Sequence, residues 1–438
     1  MMISRMKVCA AALLMLGTAA CDLDLQDPNI PTEEEVISSP ATLAQVVLGL
    51  QAEYSGQLAD PITTTAMVTN ELGAGPATFE SFRVVDTGNG PAMNDYGFAT
   101  GTWFGQYRVI RIANVVIDNA DNVGFGPGTV SGILAIGRLY KAMALGNLIQ
   151  IYERIPLSVS PTNRSPEFTD RTTVLNEIIR LLEEAEAQLV QTPQSAEFTA
   201  QMVAPGLDLL NTIRAMLARY NLIAGDLDAA DAAAASVAQT VLSEFRFSTT
   251  DANPVWNLAL NGGNSTAMRP KDVWRVEAEA GDQRVAYWVT EADLAGFAAP
   301  LDDFNRYSDR AHGIPAYLPD EMTLIRAEVA ARQSRLTDAL AHVNEVRTQC
   351  SSPVDEPVAC LPALTLADVP TQDALLEEIL RQRRYELYLQ SLRWSDLRRF
   401  GEPVKYEWMP VSISECDRNV NTPQDLCAPE PANSTVVN

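Results

Sequence analysis

Histidine is almost absent from this chain of 438 residues, which contains only His312 and His342. Two isolated histidines offer little for general acid and base chemistry, the role in which enzymes most often use this side chain. The sequence also lacks a Gly-x-Ser-x-Gly elbow, a His-Glu-x-x-His pair and a glycine-rich loop that would hold phosphate. These absences predict a protein that is not an enzyme and needs no cofactor. A hydrolase without a recognisable motif is the alternative.

Basic residues are also scarce, since the chain carries 32 of them against 56 acidic residues, a formal net charge of −24. Nucleic acid and anionic lipid head groups are poor partners for such a surface, because both require clustered lysine and arginine. The composition therefore excludes nucleic acid as a partner and favours a neutral ligand.

The six cysteines are few, and two of them lie near the N-terminus, at Cys9 and Cys21. The others are Cys350, Cys360, Cys416 and Cys427. None of these lies in a Cys-x-x-Cys pair, which disfavours zinc, the competing interpretation, and predicts no metal site. Calcium among the loop carboxylates stays open, because they show no ordered oxygen-ligand spacing. Cys350 and Cys360 enclose a short polar segment with proline, and so do Cys416 and Cys427. In an oxidising compartment this spacing predicts two local disulfides.

The first 20 residues look like a bacterial lipoprotein signal. Arg5 and Lys7 precede an apolar stretch from Val8 to Leu16, and Thr18-Ala19-Ala20 leads to Cys21. The resemblance implies export, removal of residues 1–20 and acylation of Cys21, so that lipid alone tethers the protein to a membrane. An ordinary secretory signal with a chance cysteine is the alternative.

Residues 21–40 are acidic and rich in proline, which predicts an extended, solvated tether. A surface-export tag is a second interpretation of the same residues. Beyond the signal we find no apolar run near the 18 residues of a membrane helix, so residues 41–438 are expected to form one soluble domain.

Helical periodicity dominates this domain, and it repeats. Residues 212–224 and 227–241 form one predicted helix pair, with Ala218 and Ala230 twelve positions apart. Residues 322–331 and 337–348 form another, with Ala327 and Ala339 at the same spacing. A third pair is predicted at 131–152 and 173–189, and a further helix at 372–400. The spacing resembles the tetratricopeptide pattern and predicts an all-α, right-handed solenoid of helix pairs. An unrelated helical bundle is the alternative.

Two segments interrupt the helical pattern, near residues 53–102 and 243–319. Both are rich in glycine, proline, asparagine, threonine and aromatic residues, which predicts loops and short helices above the solenoid. Within the second, residues 273–279 and 284–290 alternate like the strands of a minor β-hairpin. Ligand-binding groups are expected in these insertions.

The C-terminal third resembles the SusD/RagB family of nutrient-binding lipoproteins. The run Arg383-Arg384-Tyr385-Glu386-Leu387, followed by Arg393 and by Asp396-Leu397-Arg398, is similar to the signature of that family. Residues 409–415, with Asn419 behind them, resemble its closing segment, and Trp103, Tyr107, Ile110 and Asn114 resemble an upstream helix. The chain departs from the family at Gln382, where glutamate is usual, and at Gln390-Ser391, where Glu-Gly is usual.

The resemblance implies a surface lipoprotein that captures oligosaccharides, or another oligomeric nutrient, and passes them to a TonB-dependent outer-membrane transporter of the SusC type. Aromatic and polar side chains of the insertions would bind the ligand. The candidates are Phe79, Phe82, Arg83, Asn94, Asp95, Tyr96, Trp256, Tyr287 and Trp288. Each could instead anchor its own loop, whereas Trp103 and Tyr107 are expected in the core. A peptide ligand, or a helical adaptor without a small ligand, is the alternative.

A structural ion network is expected on the predicted helix 372–400. Its charged residues alternate with leucine and tryptophan, and partly covered guanidinium groups require carboxylate partners. The predicted members are Arg384, Glu386, Arg393, Asp396 and Arg398.

Overall fold

The computed structural model describes residues 39–75, 78–157, 160, 162–257, 268–292 and 301–433. The signal segment 1–20, Cys21 and nearly all of the tether lie outside these residues, so those features stay predictions. Both predicted disulfides are present, Cys350 with Cys360 and Cys416 with Cys427.

The described chain is mainly helical, as predicted, with strands of two to four residues. The first nine helices are α1 (Pro40–Gly56), α2 (Ala59–Val68), α3 (Glu80–Thr87), α4 (Gly97–Asn119), α5 (Pro127–Ile151), α6 (Arg171–Gln191), α7 (Ala196–Met202), α8 (Leu209–Ala224) and α9 (Leu227–Ala235). The next eight are α10 (Pro254–Trp256), α11 (Asp272–Val276), α12 (Arg284–Trp288), α13 (Pro319–Arg332), α14 (Leu336–Thr348), α15 (Gln372–Glu386), α16 (Arg393–Phe400) and α17 (Ile413–Arg418).

The strands form antiparallel two-stranded ribbons that join distant parts of the chain. They are β1 (Leu72–Ala74), β2 (Ile155–Pro156), β3 (Phe168–Thr169), β4 (Ser243–Phe245), β5 (Met268–Pro270), β6 (Val289–Thr290), β7 (Asp303–Phe304) and β8 (Ile314–Tyr317). Strand β1 pairs with β5, β2 with β3, β4 with β8 and β6 with β7. Three of the ribbons therefore lie in the insertions, and β1 with β5 connects the first insertion to the second.

The predicted helix pairs stack in chain order. Helix α5 packs on α6, α8 on α9, and α13 on α14. Between pairs, α6 contacts α8, α9 contacts α13, and α15 packs on both α13 and α14. The alanines predicted at the crossings, Ala218, Ala230, Ala327 and Ala339, are fully buried. This arrangement confirms the tetratricopeptide-like solenoid.

Helix α9 is shorter than predicted, since it ends at Ala235 rather than at residue 241. The chain turns there because the next residues must reach β4, which pairs with β8. The helical periodicity through Val241 does not reveal this constraint, which comes from a partner strand far along the chain.

Helix α5 is the core helix of the first pair. By length and composition it is apolar enough to cross a membrane, so our expectation that no such run follows the signal was wrong. Its most apolar window is, however, 83% buried inside the fold. An amphipathic surface helix would show one apolar stripe, whereas a helix covered on all sides is apolar all round.

Glycine is required in α5 at the point where α8 crosses it. A Cβ atom at Gly146 would lie 1.7 Å from the hydroxyl oxygen of Tyr220 and 2.3 Å from its Cζ atom. Tyr220 is itself only 2% exposed and is held between the helices, so it has little room to withdraw. The close approach of these two helices therefore depends on the missing side chain.

We expect Gly146→Ala to lower the free energy of unfolding by about 2–3 kcal/mol, because overpacking forces a well-packed core apart. Gly49→Ala is the matched control, since Gly49 lies inside α1 and a Cβ atom there meets nothing within 4 Å. That control should stabilise the protein by roughly 0.5–1 kcal/mol through helix propensity. Urea unfolding measures both, and equal effects at the two glycines would contradict the crossing described here.

The helix predicted at 372–400 is two helices, α15 and α16, separated by Leu387–Leu392. Leu389 and Ser391 have φ values of 58° and 61°, a left-handed conformation that ends a helix. The break is explained by burial, because Leu387, Tyr388, Leu389 and Leu392 are all at most 3% exposed. Consecutive side chains of one straight helix would point in too many directions for all of them to be buried.

The hairpin predicted within residues 273–290 is also wrong, since this segment forms the short helices α11 and α12. Their tryptophans explain the conformation. The indole N–H of Trp274 donates to the Arg384 carbonyl (3.4 Å), and that of Trp288 donates to the Tyr385 carbonyl (3.1 Å). Carbonyls in the last turn of a helix lack partners within it, so the two indoles cap α15.

The five residues predicted to form one ion network pair with different groups. Asp396 accepts two hydrogen bonds from Arg383, at 2.8 and 3.0 Å, and one from Arg399, at 2.7 Å. Arg399 also contacts Glu328 on α13, which pairs with Arg332. Of the five predicted members, Asp396 alone belongs to this buried network, which joins α13, α15 and α16.

The other four predicted members have different partners. Glu386 pairs with the buried Arg284, and Arg384 pairs with Glu277. Arg393 donates to the Leu380 carbonyl, while Arg398 donates to the carbonyls of Gln150 and Glu407. Sequence spacing placed these residues on one helix, and the break at Leu387–Leu392 separates them.

We expect Asp396→Asn to destabilise the protein by about 3–5 kcal/mol, because it leaves the buried guanidinium of Arg383 without its carboxylate and removes one of the two carboxylates that contact Arg399. Asp338→Asn is the control, since Asp338 also pairs with an arginine three residues away, Arg335, but its side chain is 57% exposed. That change should cost at most about 0.5 kcal/mol. Chemical unfolding of both variants checks the difference, and similar losses would show that burial is not the deciding factor.

Candidate ligand-binding site

An aromatic cluster lies in the second half of the first insertion. Phe79 is 74% exposed, and its ring meets that of Phe82 edge to face, with centroids 5.7 Å apart. Phe82 in turn stacks on Phe98 at 4.4 Å and meets Tyr96 edge to face at 5.2 Å. Tyr96 is only 1% exposed, so its ring supports the cluster and is not accessible to a ligand. Phe79 is the member that faces solvent most.

The polar candidates nearby have different surroundings. Arg83 pairs with Glu80 within α3, and Asp95 is exposed. The Asn94 side-chain amide donates to the Cys427 carbonyl (3.3 Å), and its backbone carbonyl accepts from the Ile413 N–H (3.1 Å). Asn94 therefore anchors the C-terminal segment against the first insertion.

The candidates of the second insertion lie in two further places. Trp288 is 1% exposed and caps α15, so it cannot present its ring to a ligand. Tyr287 is half-buried, with its hydroxyl 3.3 Å from the Asp355 carbonyl and the Arg306 guanidinium 5.1 Å from its ring centroid. Trp256 is half-buried under the guanidinium of Arg310, at 5.0 Å. Among the described residues, no ring contact joins these aromatics to the Phe79 cluster.

A cavity of about 180 Å³ opens at a third place, beside α4. The helix contributes Trp103, Phe104 and Tyr107, the β2–β3 connection forms one wall, and α17 forms another. The lining residues beyond the helix are Pro156, Ser160, Asn163, Arg164, Pro166 and Glu415. We call this the α4 pocket.

Aromatic rings form the floor of the α4 pocket. Trp103 is 2% exposed and contacts Tyr107 and Tyr152 edge to face, each at 4.9 Å, and stacks near Phe168 at 6.0 Å. Phe104 is 45% exposed, on the same helix. The prediction that Trp103 is a core residue is confirmed, whereas Tyr107 is half-buried and lines the cavity.

The polar rim is held by the C-terminal segment. The Asn419 side chain donates to Glu415 Oε1 (2.7 Å) and to the Pro166 carbonyl (2.9 Å), and Asn421 donates to the Ser165 carbonyl (2.7 Å). Tyr107 donates its hydroxyl to the Pro156 carbonyl (2.9 Å). Burial, and then the charge of Glu415, raises the pKa of Tyr107 well above its usual range, so this hydroxyl stays protonated.

This pocket was not predicted from the sequence. Trp103, Tyr107 and the closing segment with Glu415 and Asn419 were named only as points of family resemblance, and Phe104 was not named. The spacing of Trp103, Phe104 and Tyr107 within one turn was visible, but the wall supplied by residues more than 300 positions away was not.

The C-terminal part of the sequence resembles a known protein family. Residues 320–433 match the model of the SusD family, and these residues contain the ion network, both disulfides and the C-terminal rim of the pocket. The C-terminal part of the chain is therefore similar to the SusD family. A search among curated proteins returns no match.

Solved structures of low sequence identity share the fold of this chain. A SusD superfamily protein from Bacteroides thetaiotaomicron gives a TM-score of 0.67 at 17% identity, covering 88% of this chain and 97% of that one. A SusD-like carbohydrate-binding protein from Bacteroides vulgatus gives 0.63 at 18%, covering 82% and 83%. A laminarin-binding SusD-like protein gives 0.66 at 15%, covering 86% and 97%.

The two departures from the family signature have structural consequences. Gln382 is 1% exposed and donates to Glu378 (2.7 Å), which also binds Arg347 (2.7 Å). An amide there adds no second negative charge beside Glu378. Ser391 adopts a left-handed conformation, which glycine adopts at lower cost.

A half-buried carboxyl group lies against α4. Asp60, on α2, approaches Gly101 of α4 so closely that a Cβ atom at residue 101 would lie 2.0 Å from Asp60 Oδ2. Burial raises the pKa of Asp60 to about 7. In the unfolded chain the pKa of Asp60 is near its usual value of 3.8. Between about pH 4 and pH 7 the folded protein therefore binds one proton more than the unfolded chain does.

We therefore expect stability to fall as pH rises from about 4 through 7, because ionising Asp60 in the folded state is costly. Asp60→Asn should flatten this part of the profile and stabilise the protein at pH 8 by an amount on the order of 2 kcal/mol, after allowing for its partial exposure. Asp118→Asn, an exposed aspartate on α4, is the control. Thermal unfolding between pH 5 and 8 tests this, and parallel profiles for wild type and Asp60→Asn would refute it.

Proposed function

We propose that this protein is a member of the SusD family, a non-catalytic surface lipoprotein that binds an oligosaccharide and delivers it to a TonB-dependent outer-membrane transporter. The α4 pocket is the observation that supports binding. It combines an accessible aromatic ring with amide, guanidinium and carboxylate groups around a small cavity, the combination that suits a neutral, hydroxyl-rich ligand.

The chemistry of the pocket matches that of a sugar unit. The axial C–H groups of a pyranose pack on an aromatic face, which Phe104 presents to solvent and Tyr107 partly presents. Asn163, Arg164 and Glu415 supply donors and acceptors for hydroxyl groups. At about 180 Å³ the cavity is smaller than the roughly 300–1,000 Å³ of sites for drug-sized ligands, so it would hold one unit of a longer chain.

The names of two structural neighbours support the ligand class. One is a carbohydrate-binding protein and another binds laminarin. The formal charge of −24 also suits a neutral glycan better than a polyanion.

Lipid attachment at Cys21 and the acidic residues that follow it would hold the domain at the membrane with freedom to move. A lipid-tethered domain with bound ligand would meet a transporter in the same membrane more often than free ligand does, since tethering raises the effective concentration. No reaction of the sugar is needed for this role.

Binding to a panel of oligosaccharides, followed by calorimetric titration of the best ligand, tests the proposal. We expect Phe104→Ala to weaken binding about tenfold, since an aromatic stacking contact contributes about 1–1.5 kcal/mol. Glu415→Gln, which keeps an acceptor for Asn419, should weaken binding less. The bound glycan should be recovered unchanged in length.

Phe79→Ala is the matched control, because Phe79 is also an exposed phenylalanine but lies in the first insertion. We expect its glycan affinity to stay within twofold of wild type. Loss of binding in Phe79→Ala and not in Phe104→Ala would move the site to the Phe79 cluster. Binding of peptides with no glycan bound, or cleavage of the glycan, would overturn the proposed function.

A further inference from the structure

Three carboxylates from separate elements converge inside the protein, away from the α4 pocket residues. Asp320 lies in the first turn of α13, Glu386 is the last residue of α15, and Glu356 belongs to the loop closed by the Cys350–Cys360 disulfide. Their exposed fractions are 5%, 0% and 7%. One carboxylate oxygen of each lies within 4.8 Å of one oxygen of the other two.

Each of these side chains keeps one oxygen without a hydrogen-bond partner in the fold. Glu386 Oε2 pairs with Arg284 (3.4 Å), and Glu356 Oε1 accepts from Ser352 (2.5 Å). Glu386 Oε1, Glu356 Oε2 and Asp320 Oδ2 are buried and have no partner. A buried carboxylate oxygen without a partner is costly, so three at one point require an explanation.

The nearby arginine does not balance the charge of the three carboxylates. Arg284 donates its Nε and Nη2 groups to Asp282, at 2.9 and 2.7 Å, and reaches Glu386 only with Nη1. Its single positive charge is therefore shared with a fourth carboxylate. The cluster favours the uptake of positive charge, either as protons or as a cation.

We propose that Asp320, Glu356 and Glu386 bind a calcium ion through their unpartnered oxygens. Oxygen ligands alone suit a hard cation, and calcium lies about 2.3–2.6 Å from its ligands, so two ligands on opposite sides of one ion are roughly 5 Å apart. The observed limit of 4.8 Å fits that span. Magnesium usually keeps several waters and is rarely held by protein ligands alone, which favours calcium.

The ion would fasten the disulfide loop to the ends of α13 and α15. The residue next to Glu356, Asp355, is exposed and connects this loop to the surface. Asp355 pairs with Arg306 (2.5 Å) and accepts from the Tyr287 hydroxyl (3.4 Å). Calcium at the cluster therefore holds the loop against which Tyr287 is placed.

The test uses the full chain, stripped of metal with a chelator and returned to calcium at pH 8. We expect about one calcium bound per chain by equilibrium dialysis. The thermal midpoint should rise by about 2–5 °C at a calcium concentration 100 times the dissociation constant. Hydrogen exchange in residues 350–360 should slow on calcium addition, and magnesium at the same concentration should have a smaller effect.

Asp320→Asn and Glu356→Gln should each lower calcium affinity at least tenfold. In the metal-free state they should melt no lower than wild type, because each removes a negative charge from the cluster. Asp373→Asn is the matched control, since Asp373 also lies in the first turn of a helix, α15, but is exposed. It should bind calcium like wild type.

The competing explanation is that protons alone neutralise the cluster. Burial and the neighbouring Glu356 raise the pKa of Asp320 to about 8, so a proton-filled cluster is chemically reasonable. Its signature is a wild-type protein that loses stability above neutral pH and responds to neither calcium nor magnesium. That result, or unchanged calcium binding in Asp320→Asn, would overturn the proposal.

Discussion

The C-terminal turn of α15 is the point on which the rest of the structure depends. Two buried indoles cap its carbonyls, and the pair between Arg284 and Glu386 closes the same end. Immediately after it, Tyr388 donates to the Glu71 carbonyl (3.0 Å), which links the last part of the solenoid to the first insertion. An uncapped helix end buried in a core would leave several carbonyls without partners, so insertion and solenoid stabilise each other here.

Charge is placed in the interior in two different ways. Around Asp396 each carboxylate is matched by arginines in good geometry, which ties three helices together. Around Glu386, by contrast, there are more carboxylates than arginines to pair with them. A network in which each carboxylate is paired with arginine is rigid, whereas a cluster of unpaired carboxylates favours binding of a proton or a cation. The same short stretch of sequence contributes to both, and only the break between α15 and α16 separates them.

The ligand site was harder to predict than the fold, and the errors have a common cause. The sequence analysis selected aromatics from irregular segments because loops commonly bind ligands. Trp288 and Tyr96 are in such segments, but their rings are needed in the core. Phe104 and Tyr107 lie on a regular helix and nevertheless line a cavity, together with residues such as Pro166 and Glu415 from later parts of the chain.

The sequence by itself determined the helix pairs, the two disulfides and the resemblance to the SusD family, since each of these depends on spacing along a short stretch of chain. Periodicity identifies the buried face of a helix. Cysteines ten or eleven residues apart meet where a short polar segment with proline turns the chain back on itself. Only the tertiary structure decided which arginine meets which carboxylate, where the aromatic pocket opens and why three acids share one interior point. Those features join residues from distant elements, whose relative positions come from the packing of the whole solenoid.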